Sequence, residues 1–319
     1  MNKYLIEKEC HQQKIKMLNK KNFSTYLLLV FVLQILSTNL FNFCLANTFS
    51  QEVQPSGSQV KDYFVLTQPK AGTHILMKLL DMLTGKKPKT TWDAIPQLNV
   101  FNFVDNDSDA LAFKNEIEKQ FRICKKDNRY PLAHLNFSEL YHNFSLDHPE
   151  FVKIILIRDL RDVCVSCAFF QSKTIEKKIG SSNFDDILLY VIKLDCLAKK
   201  NKIFNTNEFA IRAIKWTKDP EAVICRFEDL VGIKGGGSLK AQERLITEIA
   251  YRLNVSLTSD KLGIITSNLF GKTKNSLFNA TFREGQIGSW KHYFNEEHKR
   301  AFNEMLGDSQ IALGYPICE

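Results

Sequence analysis

No loop of the form GxxxxGK[ST] occurs anywhere in the 319 residues, which removes the usual cradle for a nucleoside triphosphate. A kinase-like phosphotransferase would also want an Asp placed to hold Mg²⁺, and none stands in place. Zinc-site spacing is missing too: the one CxxC, Cys164 and Cys167, has no second pair to complete it. The other cysteines (Cys10, Cys44, Cys124, Cys196, Cys225 and Cys318) are scattered. Because the CxxC sits in "RDLRDVCVSCAFF", a strand end running into a helix, it reads as a pair of buried thiols. No internal repeat is present.

What remains is ordinary globular composition, 44% apolar and 24% charged. The net charge of +8 favours anionic partners such as nucleotides, sulfated or phosphorylated substrates and membrane surfaces, although an Asn- and Lys-rich composition inflates it.

The N-terminus stands apart. From Met17, two lysines precede an apolar stretch from Tyr26 to Leu36, and Cys44-Leu45-Ala46 puts small residues before a cleavage point. That is the pattern of a secretory signal peptide, with an uncleaved membrane anchor as the alternative. Residues 1–46 are therefore expected to be signal or anchor, 47–61 a polar linker, and 62–319 the folded domain. The protein is then exported, secreted or periplasmic, if the signal is cut, and membrane-anchored if it is not.

Along the domain, "DYFVLTQ" predicts a strand and "THILMKLLDMLTG" a helix closed by Gly85. Residues 86–128 are mixed, with a helix over "DALAFKNEIEKQFRICKK". "FVKIILIR" (151–158) is apolar throughout, as a buried parallel strand is, and a helix follows from about Asp162. "FDDILLYVIKLDCLAKK" has helical spacing, and "EAVICRFEDL" reads as a strand entering a loop. "GIKGGGS" looks like a flexible surface connection. "LKAQERLITEIAYRLNV" and "NEEHKRAFNEMLG" are amphipathic helices, the second opening at an Asn cap. Strands alternating with helices predict a three-layer α/β domain around a parallel sheet.

Three stretches invite an anion. In "QPKAGTH", Gly72 lets backbone amides approach an oxyanion, the helix start adds its dipole, and Lys70 and Thr73 add a charge and a hydroxyl. An ordinary strand–turn–helix with a lysine fits the same residues. "LIRDLRDVCVS" places Arg158 at a strand's C-terminal end with Ser166 about two helical turns on. A helix start rich in surface ion pairs would account for Asp159, Arg161 and Asp162 equally well. "FREGQIGSWKHYF" (282–294) is a basic, glycine-containing loop with an aromatic anchor.

Taken in order, these stretches resemble the sulfotransferases that use 3′-phosphoadenosine 5′-phosphosulfate, especially the cytosolic type and its bacterial relatives. "PKAGTH" is similar to the family's Pro-Lys-Ser-Gly-Thr-Thr loop, "RDLRDVCVS" to its Arg-and-Ser motif, and "REGQIGSWK" to its late Arg-Lys-Gly loop. "RFEDL" resembles its Tyr-Glu-Asp-Leu. The resemblance spans about residues 62–316 and implies a P-loop-like α/β fold with a mostly parallel sheet. It implies sulfuryl transfer without a metal, from that donor to a hydroxyl or amine on a small molecule or glycan, with no nucleic-acid partner. A homodimer, and membrane association through the N-terminal segment, are further expectations. A phosphotransferase and a nucleotide-binding module without turnover remain the rivals.

The resemblance also assigns roles. His134 in "YPLAHLNFS" would be the base, with His142 and His148 as decoys. Lys70 would stabilise the bridging oxygen, and Ser166 would hold Lys70 or the 3′-phosphate. Ala71, Gly72, Thr73 and His74 would line the phosphosulfate loop. Arg158, Arg283 and the Gly285 backbone would bind the 3′-phosphate, and Phe227 would touch the adenine. This chain departs from the pattern at Leu132, where a lysine is frequent, and at Ala71, His74, Ile75 and Glu284. Residues 86–128 and 171–184 are expected to shape the acceptor pocket.

Overall fold

The computed structural model describes residues 59–90, 110–134, 139–194, 205–271 and 283–319. The expected signal or anchor segment lies outside them. Val60 already packs on the core, and the Lys61 amide donates to the Leu253 carbonyl at 3.0 Å, so the chain is tied to the domain by that point.

Strand β1 (Tyr63–Thr67) is buried at every position and runs into helix α1 (Thr73–Thr84). Gly72 and Gly85 bracket that helix in left-handed conformations, φ 103° and 68°. Strand β2 (Lys87–Thr90) and helix α2 (Ala110–Lys126) lead to strand β3 (Arg129–His134) and helix α3 (Glu139–Asp147). Strand β4 (Val152–Ile157) is also buried throughout. It is followed by helices α4 (Leu160–Ile179), α5 (Phe184–Ile192) and α6 (Thr206–Trp216). Strand β5 (Ala222–Arg226) passes into a single helical turn, Phe227–Leu230. Helices α7 (Leu239–Arg252), α8 (Ser259–Leu269) and α9 (Glu296–Ala312) complete the domain.

Among the described residues the sheet has five strands in the order β2-β3-β1-β4-β5, and every pairing is parallel. Side chains alternate across it, as the period of two requires. Phe64, Leu66, Ile155 and Ile157 pack with α4, α5, α6 and α9 on one face. Tyr63, Val65, Ile154 and Leu156 pack with α1, α7 and α8 on the other. Three layers result, and every strand ends at the same edge, where open parallel sheets place their ligands.

Two strands were hidden from pattern reading. β2 is "KPKT", two lysines and a proline, and β3 carries Arg129 and Pro131. Their register nonetheless puts Thr67 of β1 beside His134 of β3 at the ligand edge. Among the described residues, no helix is long and apolar enough to cross a membrane.

The reading of "GIKGGGS" as a flexible connection needs correction. A Cβ added at Gly232 would lie 2.4 Å from Gln242, at Gly235 2.4 Å from Val231, and at Gly237 2.5 Å from the Glu228 carbonyl oxygen. The glycines are there because nothing larger fits. The Gly235 carbonyl, in turn, accepts the amide of Ile287 at 2.9 Å. This loop is a bracket for the late basic segment.

Candidate active site

The turn after β1 has no room to spare. Gly72 needs its positive φ, and a Cβ there would lie 2.6 Å from the Phe227 ring. Gly72→Ala adds the left-handed penalty, about 1–2 kcal/mol, to an overpacking cost of about 1–3 kcal/mol. Chemical denaturation is therefore expected to show a loss of roughly 2–5 kcal/mol. A loss below about 1 kcal/mol would contradict this packing.

Phe227 itself is buried, with its ring stacked on the Arg158 guanidinium at 3.9 Å. Its observed surroundings are Gly72 and Arg158, so it acts as a platform that aligns the first two motifs. Ala71 is fully buried, and its amide donates to the Gln68 carbonyl to close the turn. The Thr73 hydroxyl donates to Thr67 Oγ1 at 2.9 Å, and Thr67 Oγ1 lies 3.2 Å from His134 Nδ1. Helix α1, strand β1 and strand β3 are thus linked by one polar chain that ends on the imidazole.

His134 is held neutral. Burial, with smaller contributions from Lys70 and His74, lowers its pKa to about 4 against the raising effect of Thr67. Lys70 is lowered as well, by burial and by the charge of Arg158. Its Nζ sits 3.9 Å above the Phe170 ring, and among the described residues no carboxylate lies within ion-pair distance of it. His74, half-buried in the first turn of α1, is lowered by burial and then by Lys70. Lys70, His74 and His134 therefore sense one another's charge.

The face of α4 that carries Ser166 also carries Asp162 four residues before it and Phe170 four residues after. Ser166 is half-buried. The two thiols of the CxxC are fully buried on the same helix, and burial pushes Cys167 up to about 12 and Cys164 well above the usual thiol range. They are packing groups. Among the described residues, no cluster of His, Cys, Asp or Glu is arranged to hold a metal ion.

In the sequence, a helix start rich in surface ion pairs accounts equally well for Asp162. It is fully buried and takes bonds from Arg158 Nη2 at 3.1 Å, the Gly288 amide at 2.9 Å, the Ser289 hydroxyl at 3.1 Å and the Trp290 amide at 2.9 Å. Arg158 Nη2 also donates to the Gln286 carbonyl at 2.7 Å. The late basic segment is thereby brought against the second motif. Glu228 is the other group missed: it accepts the Asp159 amide at 3.0 Å and the Tyr315 hydroxyl at 2.7 Å, and burial raises its pKa.

Arg283 is well anchored. It lies over the rings of Phe169 at 4.6 Å and Tyr293 at 5.4 Å, and donates to Ser289 at 3.2 Å and to Glu284. Glu284 is thus paired with its neighbour, and Gly285 turns the backbone next to it at φ 68°. Leu132 is fully buried in the core on the α1 side, where a lysine would bury its ammonium. The decoy histidines lie elsewhere: His142 is 3.5 Å from Asp219, which pairs with the buried Lys153 near the start of β4, and His148 pairs with Glu150.

The sulfotransferase domain family matches residues 60–207. This span holds the phosphate-type turn, His134 and the Arg158–Ser166 motif. Residues 60–207 are similar to a sulfotransferase domain. The match covers slightly less than half of the chain, and that part is similar to the sulfotransferases, as the motif order implied. The match stops short of Phe227, which is joined to it by ring contacts with Arg158 and Gly72, and of the 283–291 segment, which is joined to it by the hydrogen bonds to Asp162 and Arg158.

Comparison with one solved structure supports the fold. Mouse sulfotransferase SULT7A1 complexed with PAP aligns at a TM-score of 0.52 and 15% identity, over 80% of this chain and 88% of that one. Retinol dehydratase in complex with androsterone and inactive cofactor PAP aligns at 0.48 and 18% identity, over 78% and 80%. No curated protein matches this chain in sequence.

Proposed function

We propose that this sulfotransferase moves a sulfuryl group from 3′-phosphoadenosine 5′-phosphosulfate to a hydroxyl or amine acceptor, with His134 as the base. One observation carries the reading: Lys70 is a half-buried cation near Arg158, with no carboxylate among the described residues to balance it, facing a neutral imidazole. Such a site is costly when empty and favourable when an anion fills it. The donor residues suit a compound with two anionic ends. Lys70 and the α1 turn would hold the phosphosulfate, and Arg158, Ser166, Arg283 and the Gly285 backbone the 3′-phosphate. When bound, the donor supplies an activated sulfuryl group with a phosphate leaving group.

The protein's share of the chemistry is orientation and charge. His134 Nδ1 is turned toward Thr67, which orients the ring, and Nε2 would be the position that takes the acceptor proton. The Lys70 ammonium neutralises charge that develops on the leaving oxygen, and burial strengthens that effect. Exposed Phe169 and Phe170 flank Lys70 and Arg283 and offer apolar surface for the acceptor.

A second reading, a donor-binding module without turnover, draws support from the Arg283–Glu284 pair, because Glu284 places a negative charge beside the proposed 3′-phosphate site. Both readings face one experiment. Thermal unfolding is expected to shift upward with 3′,5′-adenosine bisphosphate and not with ATP–Mg²⁺, and a sulfate-transfer assay then separates enzyme from binder. Stabilisation by ATP–Mg²⁺ alone would overturn both.

A further inference from the structure

The two arginines proposed for the 3′-phosphate come from segments 125 positions apart, Arg158 after β4 and Arg283 in the late loop. They cannot grip one phosphate unless something fixes the distance between them. Asp162 is placed to do so. One of its oxygens, Oδ2, takes Arg158 Nη2 and the Gly288 amide. The other, Oδ1, takes the Ser289 hydroxyl and the Trp290 amide. Arg283 Nη2 donates to that same Ser289 hydroxyl at 3.2 Å. An unbroken path therefore runs Arg158–Asp162–Ser289–Arg283.

We infer that Asp162, acting through Ser289, is the positioning residue that sets Arg158 and Arg283 at phosphate-gripping separation. The inference rests on the donor assignment proposed above. Asp162 is suited to the task because a carboxylate accepts at both oxygens and its four donors saturate it. It is fully buried, so its negative charge reaches the site only by orienting these groups. It also offsets part of the Arg158 charge, so the arginine stays oriented when no phosphate is present. The glycine bracket grips the same loop from behind through Ile287 and through Gln286, whose Nε2 donates to the Lys234 carbonyl. Among the described residues outside the loop, Asp162 is the group whose side chain bonds both to the loop and to an arginine beyond it.

Isothermal titration with 3′,5′-adenosine bisphosphate tests this on wild type, Asp162→Asn and Ser289→Ala. Asp162→Asn keeps the shape but loses acceptor capacity and charge. Its dissociation constant is expected to rise roughly 10- to 100-fold, as when an orienting partner of a binding group is removed. Ser289→Ala removes the hydroxyl that joins Asp162 to Arg283 and leaves the Arg158–Asp162 pair in place, with an expected rise of roughly threefold or more. In turnover assays the donor KM should rise in step while the acceptor KM does not, a split that general loosening of the fold would not give.

Asp162→Asn binding within twofold of wild type overturns the inference, as does an equal rise in both KM values. If Asp162→Asn does not fold, unchanged bisphosphate affinity in Ser289→Ala overturns it. Wild type that fails to bind the bisphosphate overturns the donor assignment itself, and the inference with it.

Discussion

Replacing His134 with alanine is expected to cut sulfate transfer by about 10²- to 10⁴-fold, the usual worth of a positioned general base. Affinity for 3′,5′-adenosine bisphosphate should stay within a few-fold, because the groups proposed to hold it (Arg158, Arg283 and the α1 turn) are untouched. The loss belongs in kcat. The prediction fails if the variant keeps its turnover, or if affinity and turnover fall together.

The pH profile adds a signed test. In the ligand-free protein His134 is depressed to about 4, chiefly by burial, so its basic form persists well below the ordinary histidine range. The profile of kcat/KM for the donor, which reports the free enzyme, should therefore keep its acid limb well under pH 6.5. A bound anion next to Lys70 favours the imidazolium, so the acid limb of kcat itself should lie higher. Stability follows the same sign. Because the unfolded chain protonates this histidine first, the fold weakens as pH drops below the unfolded histidine pKa of about 6.5 and on toward the folded value. His134→Ala should flatten that slope.

Replacing Lys70 with methionine should move activity and stability in opposite directions. Transfer is expected to fall by about 10²- to 10³-fold through loss of the cation at the developing charge. The ligand-free melting temperature should rise, because the substitution removes a half-buried ammonium that burial and Arg158 both disfavour. Methionine keeps the stem over Phe170 and satisfies the same packing. Bisphosphate should raise the variant's melting temperature less than it raises that of wild type. A variant that melts lower than wild type without ligand would show that Lys70 is compensated after all.

These residues also show what the chain discloses on inspection. β1, α1 and β4 are legible because their apolar runs are bounded by Gly72, Gly85 and charged flanks, and α9 because Asn295 caps it. Lys70, His134, Arg158 and the 283–290 segment were found by motif order. Their convergence was not visible, since it depends on the strand order that sets β3 beside β1. β2 and β3 escaped because lysine and proline conceal short strands whose burial comes from neighbours rather than from their own composition. Asp162 escaped for a related reason. An acidic residue in the first turn of a helix is so ordinary that only its four donors distinguish it.

The glycine bracket carries a practical warning. Anyone choosing a place for an epitope tag, or for the new termini of a circular permutant, would pick "GIKGGGS" by eye. Its backbone is wedged against Gln242, Val231 and Glu228 and steadies the loop beyond it. The turn at Gly180–Asn183 is expected to be the better opening, because Gly180 borders open space and Ser182 and Asn183 face solvent, provided Gly180 itself is kept for its left-handed φ of 71°. In this domain the stretch that looks most expendable is a fitted joint, and the plain helix end is where the chain can be cut and rejoined.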